Sequence, residues 1–246
     1  MIIAFKMDTP IALSHTVEFV KEFLSPNAKI LEVGCGDGRL ATQLMKEGYQ
    51  VIGIDISPEK IEAAKRNGAQ AEVADILHFE SKENFDAALF THSLHHIHLL
   101  DAAMNKAKTL LGERGRILIE DFAIEQMDEK TADWFYHIRD IVYSMAGNPP
   151  GEEKTGMERW KIEHEHTPPL HTQKAMLGAM ERRFGNLHSS KTPYLYRYFV
   201  HSCEGFPNGS LALKKIFDWE KTLIEKGLIQ AIGLRISAKK YFSYLK

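Results

Sequence analysis

The sequence predicts a doubly wound α/β fold: a mostly parallel sheet with helices on both faces and an inserted helical cap. Three observations predict it. Apolar β-type runs and segments of helical period alternate from residue 29 to residue 120. A glycine cluster at 34–38 stands between the first such run and the helix after it. Beyond Asp121 the alternation stops, and a strand-like run returns only past residue 190. Consecutive strands separated by helices are parallel and joined by right-handed crossovers.

In order along the chain, residues 11–24 place Val17, Val20, Phe23 and Leu24 at helical spacing, and Pro26 and Asn27 close that amphipathic segment. KILEV at 29–33 reads as a buried strand, and Leu40, Leu44 and Met45 restore helical spacing after the glycines. The unit repeats as strand 50–54, helix 58–67 opened by Pro58, a short strand at 70–74, strand 85–90, helix 99–111 and strand 115–120. A helical stretch at 125–146 and a polar segment at 147–171 without clear period follow. A helix at 172–184, a Tyr/Phe/Val-rich strand near 194–202, a helix at 210–226 and a last strand near 228–238 complete the reading. The expected organisation is a core with its N-terminal helix at 1–121, a helical cap at 122–190, and a C-terminal part at 191–246 that completes the sheet.

With 44% hydrophobic and 26% charged residues the chain has the balance of a globular domain that buries a core. The formal charge of -2 offers no basic field for a polyanion, so a nucleic-acid partner is not expected. Two cysteines, Cys35 and Cys203, stand far apart and outside metal-binding spacing, which suits a reducing, cytoplasmic setting. Neither a secretory leader pattern nor a long uninterrupted apolar run is seen, so the chain reads as neither secreted nor membrane-bound.

The chemistry gathers at the ends of the predicted strands. Gly34, Gly36 and Gly38 follow a strand and open a helix, where backbone approaches a ligand closely with its N–H groups free. A dinucleotide fingerprint reads G-x-G-x-x-G, and Arg39 stands where that pattern has glycine, which disfavours a nicotinamide dehydrogenase. Glu32, inside an apolar strand, is costly to bury without a cationic or hydrogen-bonding partner. Asp55 ends the second strand, where such folds place an acid on a ribose diol; its other reading is a cap for the next helix, a task for which Ser57 is better placed. Asp75 ends the third strand, within reach of an exocyclic amine. Together these positions line the crevice where doubly wound sheets bind ligands.

Over residues 29–121 the order of motifs resembles the class I S-adenosylmethionine (SAM)-dependent methyltransferases, in particular the small-molecule branch that includes ubiquinone-biosynthesis enzymes. ILEVGCGDG, VIGIDIS, VADI, FDAALFTHSLHHI and LLGERGRILIED are similar to five successive family motifs. The resemblance implies a seven-stranded sheet with its last strand antiparallel. It also implies SAM as methyl donor, S-adenosylhomocysteine (SAH) as product, and a small, partly apolar acceptor methylated at O, N or C. By it, Glu32, Gly34, Gly36 and Gly38 surround the methionine part, Asp55 and Ile56 the ribose side, Asp75 and Ile76 the adenine, and Thr91 and His96 the methyl-facing side. The N-terminal helix would close over the cofactor with Ser14 or His15 near its carboxylate. A non-catalytic SAM- or SAH-binding module is the competing reading.

His95 and His96 lie just beyond the fourth strand, where a histidine is suited to take a proton at neutral pH; their other reading is that they shape the cofactor pocket. His164, His166 and His171 alternate loosely in a polar segment whose spacing is not diagnostic of a metal, and no metal site is expected. In the cap, Phe135, Ile138 and Val142 form a packing stripe, which leaves Tyr136, His137 and Arg139 off it as acceptor contacts, with Trp160 and the strand-end Glu120 as further candidates.

Overall fold

The computed structural model describes residues 11–147, 154–184, 186–204 and 206–241. Its first half follows the alternation in the sequence. Helix α1 spans Ile11–Phe23, β1 Lys29–Val33, α2 Arg39–Lys46, β2 Gln50–Asp55, α3 Pro58–Arg66, β3 Ala71–Val73, β4 Phe85–Thr91, α4 Leu100–Leu110 and β5 Leu111–Phe122. After it come α5 at Glu129–Met145, α6 at Gly156–Glu163, α7 at Gln173–Phe184, β6 at His188–Thr192, α8 at Val200–Glu204, α9 at Gly209–Glu225 and β7 at Gly233–Lys239. The described strands form one seven-stranded sheet in the order β3-β2-β1-β4-β5-β7-β6. Strand β7 runs antiparallel to both β5 and β6, while β1 to β5 pair in parallel. The order reverses beside β1, so the crevice at the carboxyl ends of β1 and β4 is the topological switch point where such sheets take ligands.

Burial explains which strands were visible as apolar runs. β1 lies between β2 and β4 and buries Ile30, Leu31, Glu32 and Val33. One sheet face packs under α4 and α7 through Met104, Ala107, Met176, Met180 and Phe184. The other packs α1 and α2 through Val17, Val20, Ala41 and Leu44. Helix α7, expected in the cap, is therefore part of the core layer. A third apolar cluster joins Phe122, Phe135 and Trp160 to Leu195, Tyr196, Phe199, Leu213 and Ile216, so cap helices α5 and α6 pack against the segment that follows β6.

Two expectations need correction. The strand expected near 194–202 is instead β6 at 188–192, followed by a 3-10 turn at Leu195–Phe199 and the short α8. The buried carboxylate of Glu220 on α9 accepts the N–H groups of Tyr194 (2.7 Å), Leu195 (2.9 Å) and Tyr196 (2.9 Å). Those three donors converge on one anion, a geometry open to a turn and closed to an extended strand. The segment 147–171, expected to lack period, contains α6, which opens with a reciprocal capping box between Thr155 and Glu158.

Candidate active site

The loop after β1 is held open from below. The N–H groups of Gly34 and Cys35 both donate to the Ile54 carbonyl, at 2.8 and 3.0 Å. Asp55 Oδ2 accepts the Gly36 N–H at 3.0 Å and Asp55 Oδ1 that of Ser57 at 2.9 Å, so this acid braces the loop while each oxygen keeps a lone pair. Ser57 caps α3, as expected, by accepting the Lys60 N–H. Gly36 has φ +56°, and a Cβ there would meet no atom within 4 Å. Ile56 is 75% exposed beside it, and Asp75 is exposed and accepts the Leu77 N–H at 2.9 Å. Ile76 does not offer its side chain to a ligand: it is buried in the sheet core, because the turn after Asp75 directs it inward.

A cavity of about 710 Å³ extends from this loop to the cap. Glu32, Gly34, Cys35, Gly36 and Thr91 form one wall; Phe122, His164, His166, Leu170, Tyr194 and Tyr198 form the other; His92, His95, His96 and Arg197 lie on the lining as well. Helix α1 contributes Ala12 and Leu13. The expected role of His15 is not met, because its ring packs 4.2 Å from Phe217 and its Nδ1 lies 3.1 Å from the Tyr196 hydroxyl.

Glu32 is 1% exposed; Thr91 donates to its Oε1 across 3.4 Å, and its Oε2 is buried without a partner. Burial pushes its pKa up to about 8. A carboxyl whose folded pKa is raised stabilises the fold while protonated, so that contribution is full below about 4.5 and is lost as pH rises toward 8. The ligand-free protein is therefore expected to lose on the order of 3–5 kcal/mol from this group between those limits. Urea denaturation at pH 5, 6.5 and 8 checks it: Glu32→Gln should flatten the slope, and parallel curves for the two proteins would refute the assignment.

His95 and Asp121 form a buried dyad. Nδ1 lies 2.6 Å from Asp121 Oδ1, and the His95 N–H donates to Oδ2 at 3.2 Å. A carboxylate only accepts, so this bond calls for the proton on Nδ1; in the neutral ring that tautomer leaves the Nε2 lone pair a general base requires. His96 lines the cavity without a carboxylate partner among the described residues, and burial with His95 and His166 nearby pushes its pKa down to about 4. His92 holds φ +52°, and both its ring nitrogens are buried without partners; burial lowers its pKa to about 4, so it is neutral at physiological pH.

The acceptor contacts expected from the sequence lie elsewhere. Glu120 is fully buried, ion-paired with Arg197 at 3.0 Å and Arg235 at 2.7 Å, and bonded by the Thr16 hydroxyl. Tyr136 is enclosed in the cap with the Arg139 and Arg159 guanidiniums 4.2 and 4.3 Å from its ring centre. Arg139 forks onto Glu163 with both contacts at 2.6 Å, and Arg159 forks onto Asp140 with both at 2.7 Å. These pairs tie α5 to α6. His137 is exposed, with its Nδ1 at the Asp133 carbonyl. Trp160 is buried, stacks on His164 at 3.7 Å and borders a second cavity, of about 580 Å³. Sequence reasoning missed Phe122, Tyr194, Tyr198 and Arg197. Three of them had a legible aromatic signal, but nothing in the sequence placed the segment after residue 193 beside the end of the fifth strand.

Among the described residues no group of three or more His, Cys, Asp or Glu is placed to hold a metal ion. His164 spends both nitrogens, on the Trp160 carbonyl and the Tyr198 hydroxyl, each at 2.9 Å, and His171 Nε2 lies 2.9 Å from the Ile97 carbonyl.

Comparison with known proteins agrees with this architecture. A model of the family described as "Methyltransferase domain" matches residues 24–174. An uncharacterized methyltransferase of Alkaliphilus oremlandii is 31% identical over 104 residues, 41% of this chain and 48% of that protein. The ubiquinone biosynthesis O-methyltransferase of Pelagibacter ubique is 30% identical over 99 residues, 38% of this chain and 41% of that protein. The match thus spans less than half the length of these curated relatives. A Thermotoga maritima SAM-dependent methyltransferase described as a possible histamine N-methyltransferase superposes with TM-score 0.55 at 16% identity, covering 94% of this chain and 89% of its own. Magnesium protoporphyrin IX methyltransferase of Synechocystis, solved with SAH, gives TM-score 0.53 at 14% identity over 94% and 83%. At such identities the likeness is one of fold.

Proposed function

The chain belongs to the methyltransferase-domain family, the SAM-dependent methyltransferases of doubly wound fold, and from that premise we propose that it methylates a small, partly apolar acceptor. The observation that carries this reading is the single cavity whose one wall is the glycine loop with Glu32 and whose other wall is the aromatic cap. A module that only binds a cofactor has no use for the second wall. SAM, when bound, supplies an electrophilic methyl group on a sulfonium.

The residues present fit that group. The open space over Gly36 admits close approach to backbone, and the unpartnered Glu32 Oε2 suits an ammonium, which would complete a buried carboxylate. Asp55 would hold the ribose hydroxyls with the lone pairs its two backbone bonds leave. Thr91 and His96 would lie toward the methyl group, with exposed Ile56 and Asp75 outside the enclosed part. The protein's own work is to orient the acceptor, exclude water and receive a proton; orientation for in-line displacement supplies much of the rate in such transfers. We place the enzyme in the cytoplasm, a reading supported by its two free, buried cysteines; no described helix is long and apolar enough to cross a membrane.

Calorimetric titration with SAM, SAH and NAD tests this. Both adenosyl ligands should bind, NAD should not, and Asp55→Ala should weaken SAH binding by about 5- to 150-fold, since it leaves a diol unpaired and removes the brace on the Gly36 N–H. Binding of NAD in place of SAH would overturn the reading.

A further inference from the structure

Resting on the methyl-transfer reading above, we propose that His95, held by Asp121, is the general base of the reaction and that it deprotonates a hydroxyl on a planar aromatic acceptor. The dyad is fixed at every point. Asp121 is fully buried and accepts the ring Nδ1–H and the main-chain N–H of His95, together with the N–H of Phe122 at 2.9 Å. The His95 carbonyl accepts the His171 N–H at 3.0 Å, which anchors the residue from the cap side. Nε2 has no hydrogen-bond partner among the described residues, and the ring lines the cavity. His164, by contrast, spends both of its ring nitrogens on protein groups. Two cavity histidines pair Nδ1 with a carboxylate and leave Nε2 open among the described residues; His201 does so from an exposed position at 3.4 Å from Glu204, whereas His95 is buried and lies 2.6 Å from the fully buried Asp121.

The charges on the cap side choose the acceptor group. An ammonium taken out of water needs a carboxylate, and those nearby are spent: Glu163 on Arg139 and Tyr136, Asp121 on His95, Glu120 on two arginines. Glu32 stands on the glycine-loop wall, where the cofactor's own ammonium would meet it. Arg197, whose terminal nitrogens hold Glu120, Thr16 and the Ala12 carbonyl, lines the cavity with its Nε buried without a partner, a donor that suits an acceptor oxygen. Phe122 and Tyr194 stack at 4.9 Å, with the edges of His95 and His164 at 4.8 and 5.8 Å from Phe122, a wall suited to a flat ring. In the step, the acceptor O–H proton passes to His95 Nε2 as the oxygen lone pair forms the O–CH₃ bond. The C–S bond breaks with its electron pair staying on sulfur, and the imidazolium, stabilised by Asp121, later yields its proton to water.

The test combines tautomer and acidity dependence. In ¹⁵N-histidine-labelled protein saturated with SAH, NMR should show neutral His95 as the Nδ1–H tautomer, and Asp121→Asn should remove that preference. With labelled SAM, His95→Gln should slow methylation of 4-methylphenol by about 10²–10⁴-fold, because that phenol must be deprotonated in the step. The loss on 4-nitrophenol, largely ionised beforehand at pH 8, should be under about tenfold, because base catalysis contributes little there. SAH affinity should stay unchanged in the variant. Equal losses on the two phenols, the opposite tautomer, or methylation of benzylamine with neither phenol accepted would overturn the proposal, as would the absence of any methylated phenol from protein that binds SAM. Failure of the wild type to bind SAH would instead remove the methyl-transfer reading, and the proposal with it.

Discussion

Glu120→Ala is expected to cost on the order of 3–5 kcal/mol of folding stability, a large share of what a domain of this size commands. Glu120 is fully buried, and its carboxylate is the anion on which the Arg197 and Arg235 guanidiniums and the Thr16 hydroxyl converge. Arg197 also reaches the Ala12 carbonyl at 3.3 Å and Arg235 the His15 carbonyl at 2.8 Å, so neither can swing to water without breaking its hold on α1. Removing the carboxylate leaves two mostly buried cations facing each other. Burial alone would raise the Glu120 pKa, but the two arginines overcome it and hold the value at about 2. A depressed carboxyl stabilises the fold above its ordinary value of 4.5 and loses that contribution as pH falls through the folded value. The gap between wild type and variant, read by urea denaturation, should therefore be full at pH 7 and narrow toward pH 2. A loss below about 1 kcal/mol at pH 7 would mean that water reaches the guanidiniums after all.

The glycines of the loop should separate stability from binding. Gly38→Ala brings a Cβ within 2.7 Å of Ala69 Cβ and 2.8 Å of Ala64 Cβ, at φ +73°. Left-handed strain and overpacking together should cost about 2–4 kcal/mol. Gly36→Ala meets no protein atom within 4 Å, so only the strain of φ +56° remains, about 1–2 kcal/mol. Its methyl group would occupy the approach to the loop, and SAH binding should fall at least 100-fold in a protein that still melts cooperatively. Calorimetry beside thermal melts checks both variants. Tight SAH binding by Gly36→Ala would place the ligand away from this loop.

Much of the core was legible because central parallel strands are buried on both faces and read as mostly apolar runs, as KILEV and FDAALF do despite Glu32 and Asp86. Strand β6, HSSKT, was not: four of its five residues are exposed, and among the described residues it pairs only with β7. The aromatic run after it looked like a strand because it alternates, yet Glu220, a single residue on α9, draws those amides into a turn. Helix α6, eight residues long, is too short for its period to show, although its Thr155/Glu158 cap was present in the sequence. In the site, the glycine loop and the strand-end acids followed from the order of elements. Glu120 and Asp121 show the limit. Neighbours on a strand face opposite ways, so one acid joins the arginines and the other His95, and the sequence does not say which takes which.

The ion cluster around Glu120 also bears on when the site comes into being. Its bonds join residues 104 positions apart for Thr16, 115 for Arg235, and 220 between Arg235 and the His15 carbonyl. Closing loops of that length is entropically costly before any contact rewards it, and folds governed by such distant pairings assemble slowly. During synthesis the first five strands can emerge and pair while Glu120 still lacks Arg235, because β7 enters the sheet between β5 and β6. The candidate site is therefore expected to be completed only once β7 has docked. Until β7 docks, Glu120 lacks Arg235, and α1 lacks the hold of that same guanidinium on the His15 carbonyl.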